Sequence, residues 1–270
     1  MKSIAQSINT LAAFCGVRDV ETLTRGQLKE KYGIEQADVM VLFGGSILCG
    51  GDVLAEAMRN GAAKKYVIVG GEGHTTRTLR ERMHEAFPTI NTENRSEAEL
   101  FSEYIKHRYG LSADYLECKS TNCGNNITCL LDLLKENRVS FKSIILTQDA
   151  SMQRRMEAGL RKYVKDDVTI INYAAYEVLV TEKEGALSFD REIFGMWEME
   201  RYISLLVGEI PRLTDDREGY GPNGKGFIAH VDIPVCVKEA FERLKAKYNF
   251  VIRNADPRYA SKRKDDIRAC

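Results

Sequence analysis

Between residues 38 and 173, short runs that are apolar throughout alternate with stretches whose apolar positions recur every three or four residues. The runs are VMVLF (39–43), YVIVG (66–70), a weaker DYLEC (114–118), SIILT (143–147) and VTIINY (168–173). Successive side chains of a strand point to opposite sides, so a run that is apolar at every position suits a strand covered on both faces. The stretches between them carry one apolar face at helical spacing. Leu79, Met83 and Phe87 share a face that ends at Pro88, and Phe101, Ile105 and Tyr109 follow a Ser96/Glu99 capping box. Ile127, Leu130, Leu131 and Leu134 form a further stripe, and Met152, Met156, Leu160 and Tyr163 another. Asp52 is placed to cap a helix through Met58, with Gly61 beyond its end. Strand and helix in alternation predict right-handed crossovers and an α/β fold, a Rossmann-like, doubly wound, mainly parallel sheet.

The alternation stops after about residue 175. FDREIFGMWEMERYISLLVGEI (189–210) predicts one long helix carrying the only tryptophan, Trp197. PRLTDDREGYGPNGKGF (211–227) follows as a Gly-, Asp- and Arg-rich loop, with another helix near 234–248 and a solvated tail, SKRKDDIRAC, at the end. At the other end Ile4, Ile8, Leu11 and Cys15 have helical spacing. The expected organisation is an N-terminal helical arm (1–37), a Rossmann-like domain (38–175) and a mostly helical C-terminal lobe (176–270).

Composition narrows the function. Lys+Arg and Asp+Glu each total 39, so the basic excess of a general nucleic-acid binder is missing and no nucleic-acid partner is expected. The 7 cysteines form no CxxC pair, so no metal is expected and the thiols read as reduced, in a cytoplasmic protein. The N-terminal stretch is broken by Gln6, Ser7, Asn9 and Thr10, unlike a secretory segment. No run approaches the roughly 18 apolar residues of a membrane span.

In an open parallel sheet, ligands bind beyond the carboxyl ends of the strands. Unusual loops fall there: Gly44-Gly45-Ser46, GGEGHTT (70–76), STNCGNN (120–126) and QDASMQRR (148–155). Glycines let backbone N–H groups approach an anion, and helix starts add positive potential. The alternative is that they only make turns. GSILCG (45–50) has P-loop spacing, but Gly51 and Asp52 stand where Lys and Ser/Thr belong, and no GxGxxG follows the first run. Glu72 is placed to bind a ribose hydroxyl. Arg154 and Arg155 open a helix, as anion-binding forks or as surface or ion-paired arginines with Asp149 or Glu157 as partners. His74, in the glycine loop, leads the acid–base candidates, with His230 second, and Glu97 or Asp149 could share the proton transfer. Cys123 reads as a small residue of a backbone-and-amide binding loop, with a thiol nucleophile as the alternative.

ADVMVLFGG, YVIVGGEGHTT, RSEAELF, STNCGNN and TQDASMQRR, in that order, resemble the YdcF-like family, which is related to the SanA and ElyC envelope proteins. WEMERYISLLVGEIPRLTDDREGYGPNGKGFIAHVDIP is similar to the same family, so the likeness covers nearly the whole chain. The resemblance implies a bacterial protein with a Rossmann-like domain, a separate C-terminal lobe and a bound nucleotide-like small molecule, S-adenosylmethionine being the ligand associated with the family. Carried over by residue, the implied site is Gly44, Gly45, Gly71, Gly73, His74, Glu97, Asn122, Asn126, Gln148, Asp149, Arg154 and Arg155, to which the glycine loop adds Thr75. The first loop departs from ordinary methyltransferases, so methyl transfer does not follow. Besides a small-molecule binder or enzyme, two readings stay open: a non-catalytic regulator of envelope-related processes acting through a protein partner, and a Cys123-dependent thiol enzyme.

Overall fold

The computed structural model describes residues 3–45 and 47–248; Ser46 and the predicted C-terminal tail lie outside the described residues. Strands β1 (Ala37–Phe43), β2 (Ala63–Val69), β3 (Tyr115–Glu117), β4 (Ser143–Thr147) and β5 (Thr169–Asn172) form a 5-stranded sheet in the order β3-β2-β1-β4-β5, every pairing parallel. Each predicted apolar run is a strand, within a residue or a few at its ends. The helices linking them are α3 (Cys49–Arg59), α4 (Thr76–Ala86), α5 (Glu97–Tyr109), α6 (Cys123–Glu136) and α7 (Gln153–Arg161).

Side-chain alternation explains why the runs are continuous. Val39, Val41, Phe43, Val67, Val69, Ile144 and Leu146 point into one core, shared with Ile127 and Leu130 of α6 and Met156 and Leu160 of α7. Met40, Leu42, Ile68 and Ile145 point into the opposite core, shared with Leu54 of α3, Leu79 and Met83 of α4, and Phe101 and Tyr104 of α5. Helices therefore cover both faces.

Outside the sheet lie α1 (Ile4–Cys15), α2 (Arg25–Tyr32), a two-stranded antiparallel ribbon of β6 (Val180–Lys183) and β7 (Ala186–Phe189), α8 (Met199–Leu213) and α9 (Val235–Lys247). All but α2, whose Leu28 joins the core of α3, α4 and α5, build a third core in which Ile8 and Leu11 of α1 meet Tyr202 and Leu206 of α8 and Val237 and Leu244 of α9. Asn9 fastens α1 to β6: its amide donates to the Val180 carbonyl and its oxygen accepts the Val180 N–H, both at 2.8 Å. The N-terminal helix is thus part of the same core as the C-terminal helices.

Two sequence expectations need correction. The predicted helix 189–210 begins only at Met199 and runs on through Pro211 to Leu213. Residues before it form β7 and then a strap in which Gly195 takes φ +77 and lies against Leu48. A Cβ there would sit 2.9 Å from the Leu48 nitrogen, and Cys49 N–H donates to the Phe194 carbonyl at 3.2 Å. Helical periodicity is outweighed by a left-handed turn that only the packing explains. Asp52 likewise does not cap α3, which starts three residues earlier; its carboxylate instead accepts the hydroxyls of Tyr104, at 2.5 Å, and Tyr109.

Candidate functional site

The chain leaves β1 towards β2 on one side and reaches β4 on the other, so the β1/β4 boundary is the topological switch point where open α/β sheets hold ligands. The loops that end these strands are tied by Gln148, which is buried. Its Nε2 donates to the Gly44 carbonyl at 3.2 Å and its Oε1 accepts the Asp149 N–H at 2.7 Å. Its own N–H donates to Oε1 of Gln153 at 2.9 Å, and Gln153 Nε2 donates to the Leu146 carbonyl and to Asn172 Oδ1 at 3.0 and 3.1 Å. Gln148 is therefore a strut between strand ends. Gln153, not singled out from the sequence, completes it.

Glu97 lies where the β1 and β2 ends meet. Ser96 caps α5, its Oγ accepting the Glu99 N–H at 3.2 Å while Glu99 Oε2 accepts the Ser96 N–H at 2.8 Å, and this places Glu97 in the first turn. The Glu97 N–H donates to the Gly71 carbonyl at 3.0 Å. Its side chain is 7% exposed, yet only Oε1 is engaged, by the hydroxyls of Thr75 and Thr76 at 3.0 and 2.9 Å. Oε2 lies over Gly44, 2.5 Å from where a Cβ would stand, and receives no hydrogen bond from a described residue. Burial pushes the Glu97 carboxyl above its ordinary range, against the two threonine hydroxyls and the charge of Arg80.

Of the four glycines expected to face an anion, Gly44, Gly71 and Gly73 use their N–H groups inside the protein. Gly44 donates to the Val69 carbonyl at 2.6 Å, Gly71 to Ser120 Oγ at 3.2 Å and Gly73 to Thr76 Oγ1 at 2.8 Å. What these positions require is closeness: a Cβ on Gly71 would meet the Ser120 carbonyl at 2.3 Å, and one on Gly70 would meet Glu97 Cβ at 2.9 Å. Gly45 is half-buried, its Cβ position 3.4 Å from Gln148 Oε1. His74 is exposed next to Thr75, and Glu72 is exposed with Arg80 at 3.3 Å.

Asp149 is buried and saturated. Oδ1 accepts the Ser151 N–H and hydroxyl at 2.9 and 2.8 Å and the Tyr176 hydroxyl at 2.9 Å; Oδ2 accepts the indole N–H of Trp197 at 2.7 Å. Burial, and then the Asp149 charge, hold the Tyr176 hydroxyl well above its ordinary value. Cys49 is pushed up to about 12, by burial first and then by Asp149 and Asp52. Arg82 stacks 4.9 Å over the Trp197 ring and donates to the Gly195 carbonyl at 2.6 Å. The strap is thus clamped over the rim from α4 and from Asp149, a contact between residues 48 apart that no local signal reveals. Beside it, Arg18, Cys49, Asp52, Tyr176 and Arg191 line an open cleft of about 350 Å³.

The two arginines do not form an open anion clamp. Arg155 donates to both oxygens of Glu209, at 2.5 and 3.0 Å, and Arg212 joins the same carboxylate at 3.2 Å. Arg154 donates to the Phe14 carbonyl and stacks 4.4 Å over the Phe14 ring. The partners expected from the sequence, Asp149 and Glu157, are replaced by groups from α8 and α1, far along the chain.

Asn122 caps α6, its Oδ1 accepting the Asn125 N–H at 3.0 Å and its Nδ2 donating to Asn125 Oδ1 at 2.9 Å. Cys123 is the first residue of α6, half-buried and within electrostatic reach of Arg155. Asn126, one turn in, is 8% exposed. His230 lies elsewhere, in the glycine-rich loop, with Asp215 Oδ2 at 2.6 Å and Asp232 Oδ1 at 3.1 Å. Among the described residues no group of His, Cys, Asp or Glu is arranged to hold a metal ion, and no helix is long and apolar enough to cross a membrane. No protein-family model matches the chain.

Proposed function

We propose that the chain is a cytoplasmic protein that binds a nucleotide-like or anionic small molecule at the carboxyl rim of the sheet. The observation that carries this reading is Glu97, a buried residue at the junction of the β1 and β2 loops whose Oε2 accepts no hydrogen bond from a described residue. Oε2 is not sealed in the core, so it keeps a path to solvent and can accept a hydrogen bond from a guest. The resemblance to the YdcF-like family favours S-adenosylmethionine as the guest. The fit is partial: Glu97 and the asparagines of the α6 start supply polar groups at the rim, whereas the amides of Gly44, Gly71 and Gly73 are already committed. Asp149, both of whose oxygens already accept hydrogen bonds, supports a structural role; His74 with Glu97 is the pair that would move a proton in an enzymatic version of this reading.

Thermal unfolding with S-adenosylmethionine, nucleotides and sugar phosphates tests the proposal. A ligand at 100 times its dissociation constant raises stability by about 2.7 kcal/mol. Glu97→Gln should weaken a hit roughly tenfold, the loss of about one charge-assisted hydrogen bond. Failure of all three classes to shift the transition, or an unchanged hit in Glu97→Gln, overturns it.

A further inference from the structure

Three features coincide at the start of α6. The helix is long (14 residues) and has no acidic side chain in its first turn to occupy its positive end. Asn122 captures the Asn125 N–H, but the N–H groups of Cys123 and Gly124 have no acceptor among the described residues. The third feature is independent of the helix end. The Asn126 side chain is 8% exposed, and its carboxamide makes no hydrogen bond to a described residue. Neither carboxamide atom is sealed in the core, so this nearly buried side chain keeps its polar end towards solvent. Helical side chains lean towards the N-terminus, which carries the Asn126 carboxamide towards the helix start and the two amides there.

The α6 start adjoins the Glu97 rim. Thr121, next to the cap, has its carbonyl 3.2 Å from a Cβ position on Gly73, and Gly71 packs on Ser120 while its carbonyl holds the Glu97 N–H. Arg155 adds positive potential beside Cys123 although Glu209 pairs it.

We infer that the α6 start is the oxyanion subsite: a phosphate or carboxylate of the ligand accepts from the Cys123 and Gly124 N–H groups and from the Asn126 amide. This deepens the function proposed above, rests on it, and moves the anion away from Arg154 and Arg155, both engaged in holding α1 and α8.

The local geometry supplies a clean test. Asn122 has φ −157 and ψ 169, the extended form that a residue before proline prefers, and the first helical position is where proline is best tolerated. Cys123→Pro therefore deletes one N–H while keeping α6, and Cys123→Ser deletes the thiol while keeping the N–H. With the ¹⁵N-labelled full chain and sodium phosphate as probe, the Cys123 and Gly124 amides should move together and saturate. Phosphate should bind at least tenfold more weakly to Cys123→Pro than to Cys123→Ser, and at least tenfold more weakly to Asn126→Leu than to the parent chain. Far-ultraviolet circular dichroism and Tm check that each variant is folded, and Asn126→Leu stands as a second probe should Cys123→Pro lose α6. Equal affinities in the Pro and Ser variants, or phosphate shifts confined to residues 72–76, overturn the subsite and leave the rim reading standing. No shift anywhere on the rim with phosphate, S-adenosylmethionine or ATP overturns both.

Discussion

At Gly71 a methyl group has no room, because the atoms it would meet are backbone: the carbonyls of Ser120 and Cys118, at 2.3 and 2.7 Å. Backbone cannot rotate aside as a side chain can, so Gly71→Ala should cost about 3 kcal/mol, the upper part of the usual overpacking range. At Gly73 the nearest atom would be the Thr121 carbonyl at 3.2 Å, and Gly73→Ala should cost under about 1 kcal/mol. Urea unfolding of the two variants checks the contrast; equal losses would mean that the loop moves as a unit. Glu97 makes a second residue-scale prediction. Its folded pKa is raised by burial, so the folded chain keeps the proton to higher pH than the unfolded chain does. Stability therefore falls as pH rises from the unfolded value, about 4.3, to the folded one. Glu97→Gln removes that fall. Its Tm relative to the parent should increase through this window and level off above it, while ligand affinity drops; a Tm difference independent of pH would show that the carboxyl is not the titrating group.

At the scale of elements, the sheet was legible and the strap was not, for one physical reason. A strand covered on both faces must be apolar at every position, and VMVLF, YVIVG and SIILT carry that requirement within five letters each. The strap is held by Gly195 against Leu48, Arg82 on the Gly195 carbonyl and Trp197 on Asp149, all contacts with distant segments, so its own letters imitate a helix. The site divides in the same way. The rim loops were readable as loops, and the Ser96 cap that positions Glu97 was readable as a cap. That Gly71 and Gly73 would spend their amides on Ser120 and Thr76 was not, since it depends on how loops fold on each other. The loop after α8 has a titratable clasp of its own. His230 is held above its ordinary pKa by Asp215 first and then Asp232, and Asp215 is held below its own by the Asn223 N–H and by His230. The histidine's contribution is fully present below its unfolded pKa, about 6.5, and disappears as pH rises through its folded value. Proton NMR should therefore find His230 titrating above 6.5, and Asp215→Asn should move it down; an unchanged midpoint would dismiss the clasp.

At the scale of the whole molecule, the question is what keeps the third core fixed on the sheet. Apolar packing of α1 with α8 and α9 is non-directional, whereas the polar contacts to α7 define a position. Arg154 reaches the Phe14 carbonyl at the end of α1, and Arg155 grips Glu209 in the middle of α8, so adjacent residues of one helix hold both partners. The side chains of Arg155 and Glu209 are 13% and 4% exposed, so neither charge is well solvated if left alone. Breaking such a pair from one side costs about 3–5 kcal/mol, whereas replacing both members by apolar residues of similar volume is often near neutral. Arg155→Met and Glu209→Leu should each lower stability by about that amount, and the double variant should recover most of the loss. If the pair also sets where the lobe sits, the double variant will keep its Tm yet lose the Trp197–Asp149 bond, because apolar packing tolerates the sliding that a bidentate ion pair does not. Tryptophan fluorescence separates the two outcomes, Trp197 being the only tryptophan in the chain: a shifted emission in the stable double variant means that the pair sets position, and an unchanged emission means that the strap holds the lobe without it.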